Sequence, residues 1–244
     1  MNKYLFSILA FSIIFITGCS SVYMPNVPNT PMLSKQGEFS GGGHISLKGN
    51  TSINGAYAVS DHFALLFSGA AMDNKRKAKD FNHKLFEIGG GYFNTFGPDD
   101  NRIIEVYGGV GKGYSNITFR DYKDDLLINT QLQKVDYRRA YLQVNYSSKR
   151  KSNFRIFGTN FPLNYGTALR ISKVNMDRFF INNVVQPKEN NIFFEPIFFT
   201  RMQLSKVIQL QYTTSSNFGL KSRDYLTAGN SIFTIGVVVN VGGK

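Results

Sequence analysis

The sequence predicts an all-β fold, an antiparallel up-and-down transmembrane β-barrel of about ten strands behind an extended N-terminal tether. Three observations predict it. Apolar and small residues alternate with period two over about ten separate stretches, the mark of strands with one face in an apolar medium. Short connections alternate with long polar ones. After residue 18 no stretch approaches the roughly 18 consecutive apolar residues of a membrane helix, although the chain holds 22 Phe, 13 Tyr and 23 Gly.

Residues 1–18 carry Lys3 ahead of an apolar run from Tyr4 to Ile16, with Gly18 before Cys19. This is the layout of an export signal, and its n-region and h-region are too short to span a membrane. Cys19 is the only cysteine, so no disulfide framework or Cys-based metal site is available. Residues 19–36 contain Pro25, Pro28 and Pro31 without apolar periodicity and read as an extended tether, a leash after Cys19.

From residue 37 to 244 the period is two. Phe39, Gly41, Gly43, Ile45 and Leu47 share one face of the first strand, and Ile53, Gly55, Tyr57 and Val59 one face of the second. After a turn at Ser60-Asp61-His62, Phe63, Leu65 and Phe67 oppose Ala64, Leu66 and Ser68. Similar alternation marks strands around 86–93, 104–110, 139–146, 165–171, 194–203, 208–213 and 232–241, and Pro196 leaves one ladder position without a donor. Turns at 60–62, 97–101, 148–153 and 205–206 are short. The connections at 73–82, 118–136, 174–190 and 216–230 are long, and only the one near Gly49-Asn50 is short at their end. Outer-membrane barrels put short turns toward the periplasm and long loops outside.

The apolar face is predicted to point outward, because the opposite faces are crowded with Gly, Ala and Ser and isolated charges, as a narrow lumen requires. Tyr57, Tyr92, Tyr146 and Tyr212 lie on the apolar face, where interfacial girdles belong. The net charge of +12 favours anionic partners. Export excludes nucleic acid, which leaves outer-membrane lipid, lipopolysaccharide included, as the partner of an otherwise monomeric protein.

Ile16-Thr17-Gly18-Cys19 resembles the lipobox of bacterial lipoproteins, in which the cysteine is diacylated and becomes the first residue. Tyr23-Met24-Pro25-Asn26, Asn29-Thr30-Pro31, Leu33 and Gly37-Glu38, followed by Ala56-Tyr57-Ala58-Val59-Ser60-Asp61-His62, resemble small outer-membrane β-barrel lipoproteins of Bacteroidota-type bacteria. The resemblance implies lipidation at Cys19, an outer-membrane location and a barrel, and brings no catalytic residues or cofactor. The acidic surface-export cluster of that group is missing after Cys19, which implies an anchor in the periplasm-facing leaflet.

Inward charges fall on two levels: Glu87, Arg139, Arg170 and Glu195 near the outer end, and Glu38, Glu105 and Arg201 nearer the periplasm. Unpaired charge in a narrow lumen is costly, so these seven are expected to form an ion-pair network that plugs the pore. Lys75, Arg76, Lys77 and Lys79 form a basic outer loop suited to anionic lipid. Phe179-Phe180-Ile181 with Val184-Val185 is an apolar patch in an outer loop, read either as a plug or as a partner contact. Of the histidines only His44 is expected inside near the rim; without an identifiable nucleophile it supports no catalysis and no metal. The expected function is therefore structural or surface-interaction. Two other readings are a soluble periplasmic barrel binding an apolar ligand and a lipid hydrolase at the rim.

Overall fold

The computed structural model describes residues 21–156, 158–227 and 231–242. In chain order the strands are β1 (Phe39–Ser46), β2 (Thr51–Ala58), β3 (Phe63–Lys75), β4 (Lys79–Phe96), β5 (Arg102–Lys123), β6 (Leu126–Ile156), β7 (Thr159–Ile181), β8 (Val184–Val185), β9 (Asn190–Gln203), β10 (Ile208–Ser215), β11 (Phe218–Gly219) and β12 (Ile232–Val241). β8 and β11 are two-residue ladders in connections. The other ten pair antiparallel with their sequence neighbours, and β12 closes on β1 from Phe39↔Val241 to Ser46↔Thr234. The result is the closed ten-stranded barrel that the alternation predicts.

The direction of the alternation also agrees. On β3, Phe63, Leu65 and Phe67 are exposed and Ala64, Leu66 and Ser68 buried. All four girdle tyrosines are exposed. An apolar exterior with a polar interior is the reverse of a soluble barrel and fits an outer-membrane-type barrel. Small residues are needed inside because the strands coil tightly. A Cβ on Gly109 would lie 2.6 Å from the Ile88 carbonyl oxygen, so even alanine would force the backbone apart there. Pro196 costs little, because β10 ends at Ser215 opposite Ile197. The donor that proline lacks would have pointed past the end of that ladder, where the Pro196 carbonyl instead accepts the Ser216 N–H at 3.3 Å.

The connections need correction. Two of the long outer loops are mostly strand. β3 and β4 continue to a turn at 76–78, and β5 and β6 continue to Asp124-Asp125, whose φ values of 48° and 61° suit a two-residue type I′ turn. β7 likewise runs to Ile181 and turns at Asn182-Asn183, with φ of 50° and 66°. At the other end the turn expected at 148–153 lies within β6, which continues to Ile156 past a register shift between Ser148 and Ser152. In the hairpin extensions the alternation changes sign: polar residues face outward and Ile117, Val135, Val174 and Met176 are buried inside, so the lipid-facing pattern that marks the other strands stops there.

Candidate functional site

The lumen is filled by the chain's own N-terminal segment. Ser21 to Leu33 is buried throughout. The leash expected at 19–36 is thus extended but lies inside the barrel; Cys19 itself is outside the described residues. The segment is apolar at both ends and polar in the middle. Val22, Tyr23 and Met24 join Tyr137, Phe193 and Leu226 in a cluster toward the long hairpins. Leu33 packs with Ala58, Phe93 and Tyr107, and Met32 with Ile103 and Phe199, toward the short turns.

Between these clusters runs Pro25-Asn26-Val27-Pro28-Asn29-Thr30-Pro31. Proline at every third position removes three donors that a buried strand would have to satisfy. It also favours a three-residue turn that brings Asn26 and Asn29 to the same side. Asn26 meets the outer charge level, whereas Asn29 bonds neutral groups of the wall. Asn26 Nδ2 donates to Glu87 Oε2 at 2.6 Å and to Ser68 Oγ at 2.8 Å. Its Oδ1 accepts from Arg139 at 3.0 Å and from Arg170 at 3.2 Å. Arg139 pairs with Glu87 at 2.7 Å and with Glu195 at 2.9 Å, and Arg170 pairs with Glu195 at 2.5 Å. Tyr23 donates its hydroxyl to Glu195 at 2.9 Å and stacks on Phe193 with centroids 4.6 Å apart. The outer level is therefore a closed set of two arginines and two glutamates with Asn26 at its centre.

The lower level is built differently, which corrects the expectation of one seven-residue ion-pair network. Among the described residues Glu38, Glu105 and Arg201 make no ion pair. Glu105 accepts the Met32 N–H at 2.9 Å, and Asn145 and Tyr107 at 2.8 and 3.1 Å. Arg201 donates to the carbonyls of Thr30 and Pro31 and to Gln211. Glu38 takes the Ser34 N–H and hydroxyl. Asn29 donates to the Gly55 carbonyl at 2.7 Å, while its own carbonyl accepts from Gln143 at 2.7 Å. These charges hold the segment's backbone instead of one another.

The direction of the segment is fixed by its two ends. The Val22 N–H donates to the Tyr225 carbonyl in the connection before β12, and Ser115 donates to the Val22 carbonyl. Gln36 reaches Val59 and Asp61 at a short turn. Ser21 therefore lies at the hairpin end, away from the side where a periplasmic anchor was expected. The connection at 220–227 is pinned by Glu189, which accepts the N–H groups of Asp224, Tyr225 and Leu226. Phe179, expected in a loop patch, is on β7, buried, and packs on Tyr225 with centroids 4.5 Å apart.

His44 points inward as expected, with Nε2 3.3 Å from the Asn54 amide nitrogen. His83, not expected inside, also lies there, 2.7 Å from the Tyr137 hydroxyl. The basic stretch is less free than the sequence implied: Lys77 pairs with Asp125, Lys75 is 3.8 Å from Asp73, and Lys79 lies over Phe119. The repeat of Pro-Asn at 25–26 and 28–29 is the one sequence signal that could have marked the segment as lumenal.

In structure the chain is similar to the translocator domain of autotransporter NalP from Neisseria meningitidis, with a TM-score of 0.50 at 10% identity, over 84% of this chain and 86% of that one. At that identity the likeness is one of fold. No family model matches the chain, and no curated protein matches it in sequence.

Proposed function

We propose that the protein is a lipid-anchored outer-membrane barrel, closed by its own N-terminal segment, that serves a structural or surface-interaction role through its hairpins. The buried path of residues 21–33 carries this reading, because a lumen occupied by chain that is bonded to the wall at both charge levels has no room for a solute. The apolar exterior argues against a soluble ligand-binding barrel. The two inward histidines lie within the occupied lumen, out of reach of a lipid headgroup, which supports a non-enzymatic role.

The direction of the segment bears on the anchor. Cys19 is two residues before Ser21, a reach of at most about 7 Å, against a hydrocarbon core about 30 Å thick. With short turns toward the periplasm, acyl chains on Cys19 enter the outer leaflet, and the barrel carries its lipidated N-terminus to the cell surface. This replaces the periplasm-side anchor. Two measurements test the reading. The protein stays with membranes in carbonate and shifts in mobility on boiling; release by carbonate without a shift would contradict a membrane barrel. An epitope inserted between Ser20 and Ser21 is detected by antibody on intact cells, whereas detection only after permeabilisation would contradict the threading direction.

A further inference from the structure

On the lipid-facing side, four adjacent strands change character at one level. The outward row on β4 passes from Ile88 and Phe86 to Lys84, on β5 from Val110 to Lys112, on β6 from Leu142 and Ala140 to Arg138, and on β7 from Ile171 to Lys173. Lys112 and Arg138 are cross-strand partners, and Lys173 is the partner of Ala140. All four cations are exposed. Arg138 has Asp177 at 2.7 Å; the three lysines make no salt bridge among the described residues.

Each of three strands carries an exposed tyrosine eight residues from its cation: Tyr92 and Lys84, Tyr146 and Arg138, Tyr165 and Lys173. At the usual strand rise and tilt this separates the two rows by about 20 Å, close to the apolar band of a membrane barrel. Tyrosines thus mark the turn-end interface and cations the hairpin-end interface. A basic rim that served only solubility would run all round. Here the outward residues at the same end of β2, β3 and β12 are Thr51, Ala71 and Phe233, with Ala71 directly paired to Lys84.

The same side of the barrel is furrowed. Gly90 and Gly108 are cross-strand partners on the outward face, so two strands meet there without side chains. Leu65, Phe67 and Leu142 stand around the resulting depression. It shares Ile88 and Val110 with a second depression over Ala140, which is bordered by Lys112 and Arg138. An apolar channel leads from mid-membrane to a cluster of cations at the headgroup level.

We propose that this furrow binds a phosphorylated glycolipid of the outer leaflet, with one acyl chain along Gly108, Ile88 and Val110 and the phosphates on Lys84, Lys112, Arg138 and Lys173. The proposal rests on the membrane-barrel reading and on its orientation. It moves the lipid contact away from Lys75 to Lys79, which lie farther up the hairpins beyond the apolar band. A phosphorylated glycolipid fits better than a single-phosphate phospholipid because the cations span four strands, wider than one phosphate can bridge.

The test is native mass spectrometry of the purified full chain in detergent, with added diphosphorylated lipid A, its dephosphorylated form, or phosphatidylglycerol. The wild type retains one diphosphorylated lipid in preference to the other two. A Lys84→Gln, Lys112→Gln, Lys173→Gln variant binds it roughly tenfold or more weakly. Gly108→Val, which fills the furrow and leaves every charge in place, also weakens retention. Equal retention of the dephosphorylated lipid or of phosphatidylglycerol would overturn the site, as would unchanged binding in the triple-lysine variant or in Gly108→Val. The three lysines are exposed and Gly108 lies half-buried on the outward face, so both variants keep the mobility shift on boiling. A wild type that shifts but shows no lipid preference refutes the site alone, whereas one that does not shift refutes the barrel reading and the site together.

Discussion

Replacing Arg139 with alanine is expected to destabilise the barrel by about 3–5 kcal/mol. The guanidinium is fully buried between Glu87 and Glu195 and also bonds Asn26 and Ser172. Without it Glu87 keeps only neutral partners, and one arginine, Arg170, is left for Glu195. The cost exceeds that of an ordinary hydrogen bond because it comes from stranding a carboxylate in a closed lumen, not from the lost contact itself. In a chain of this size it corresponds to a fall of about 10 °C in the temperature at which the folded, fast-migrating species converts to the unfolded one. The adjacent Arg138 is an internal control: its side chain is outside and largely exposed, paired only with Asp177, so Arg138→Ala should change stability by less than about 1 kcal/mol. Adding Glu87→Gln to Arg139→Met should recover much of the loss, since the pair then leaves together. Equal, small effects of Arg138→Ala and Arg139→Ala would mean that the lumenal charges are hydrated and not locked in a dry network.

The second large effect is expected from deleting residues 22–33. The full chain, reconstituted in a planar bilayer, gives a flat baseline. The deleted form gives discrete, steady current steps, because the segment fills the path between the two charge levels. The wall should survive the deletion. Glu87, Arg139, Glu195 and Arg170 still pair with one another, Glu105 keeps Asn145 and Tyr107, and Arg201 keeps Gln211. Water then replaces the segment's backbone groups, at a cost seen as a lower conversion temperature. Its lining carries three arginines and a similar number of glutamates, so the opened pore should discriminate weakly between cations and anions. Asn26→Ala, which removes the side chain that joins Glu87, Arg139 and Arg170, is the milder version and should give intermittent openings. A deleted form as silent as the full chain would mean that Phe93, Tyr107, Tyr141 and Phe199 close the lumen unaided.

Much of this architecture is legible in the sequence wherever a strand has one face in lipid. There the alternation of Phe63, Leu65 and Phe67 with Ala64, Leu66 and Ser68 states both the strand and its direction, and the two levels of inward charge follow from counting positions. Legibility ends where the bilayer ends. Strand residues 118–123 and 126–136 lack the lipid-facing alternation, since Leu126, Leu127 and Ile128 are exposed in a row and Val135 is buried inside, so the pattern marks them as loop although they are a hairpin ribbon. The N-terminal segment fails for a different reason. A proline-rich extended chain has the same composition whether water or a polar lumen surrounds it, and only its partners tell the two apart. Those partners are visible as inward charges, but their surplus over mutual pairing is not: Glu105 and Arg201 read as members of one ion-pair network in the sequence and serve in the structure as receptors for backbone groups of residues 30–33.

Whether the N-terminal segment occupies the lumen is open to direct chemical measurement. Asn26 and Ser68 meet side chain to side chain at 2.8 Å, and Ser68 faces inward while its neighbour Phe67 faces out. Oxidation of an Asn26→Cys, Ser68→Cys variant in intact membranes should yield a linked peptide pair joining positions 26 and 68 in most of the protein. The Asn26→Cys, Phe67→Cys variant, displaced by one residue to the other face of the same strand, should yield almost none. Absence of the 26–68 link, or equal linking at 67 and 68, would contradict a segment threaded through the barrel.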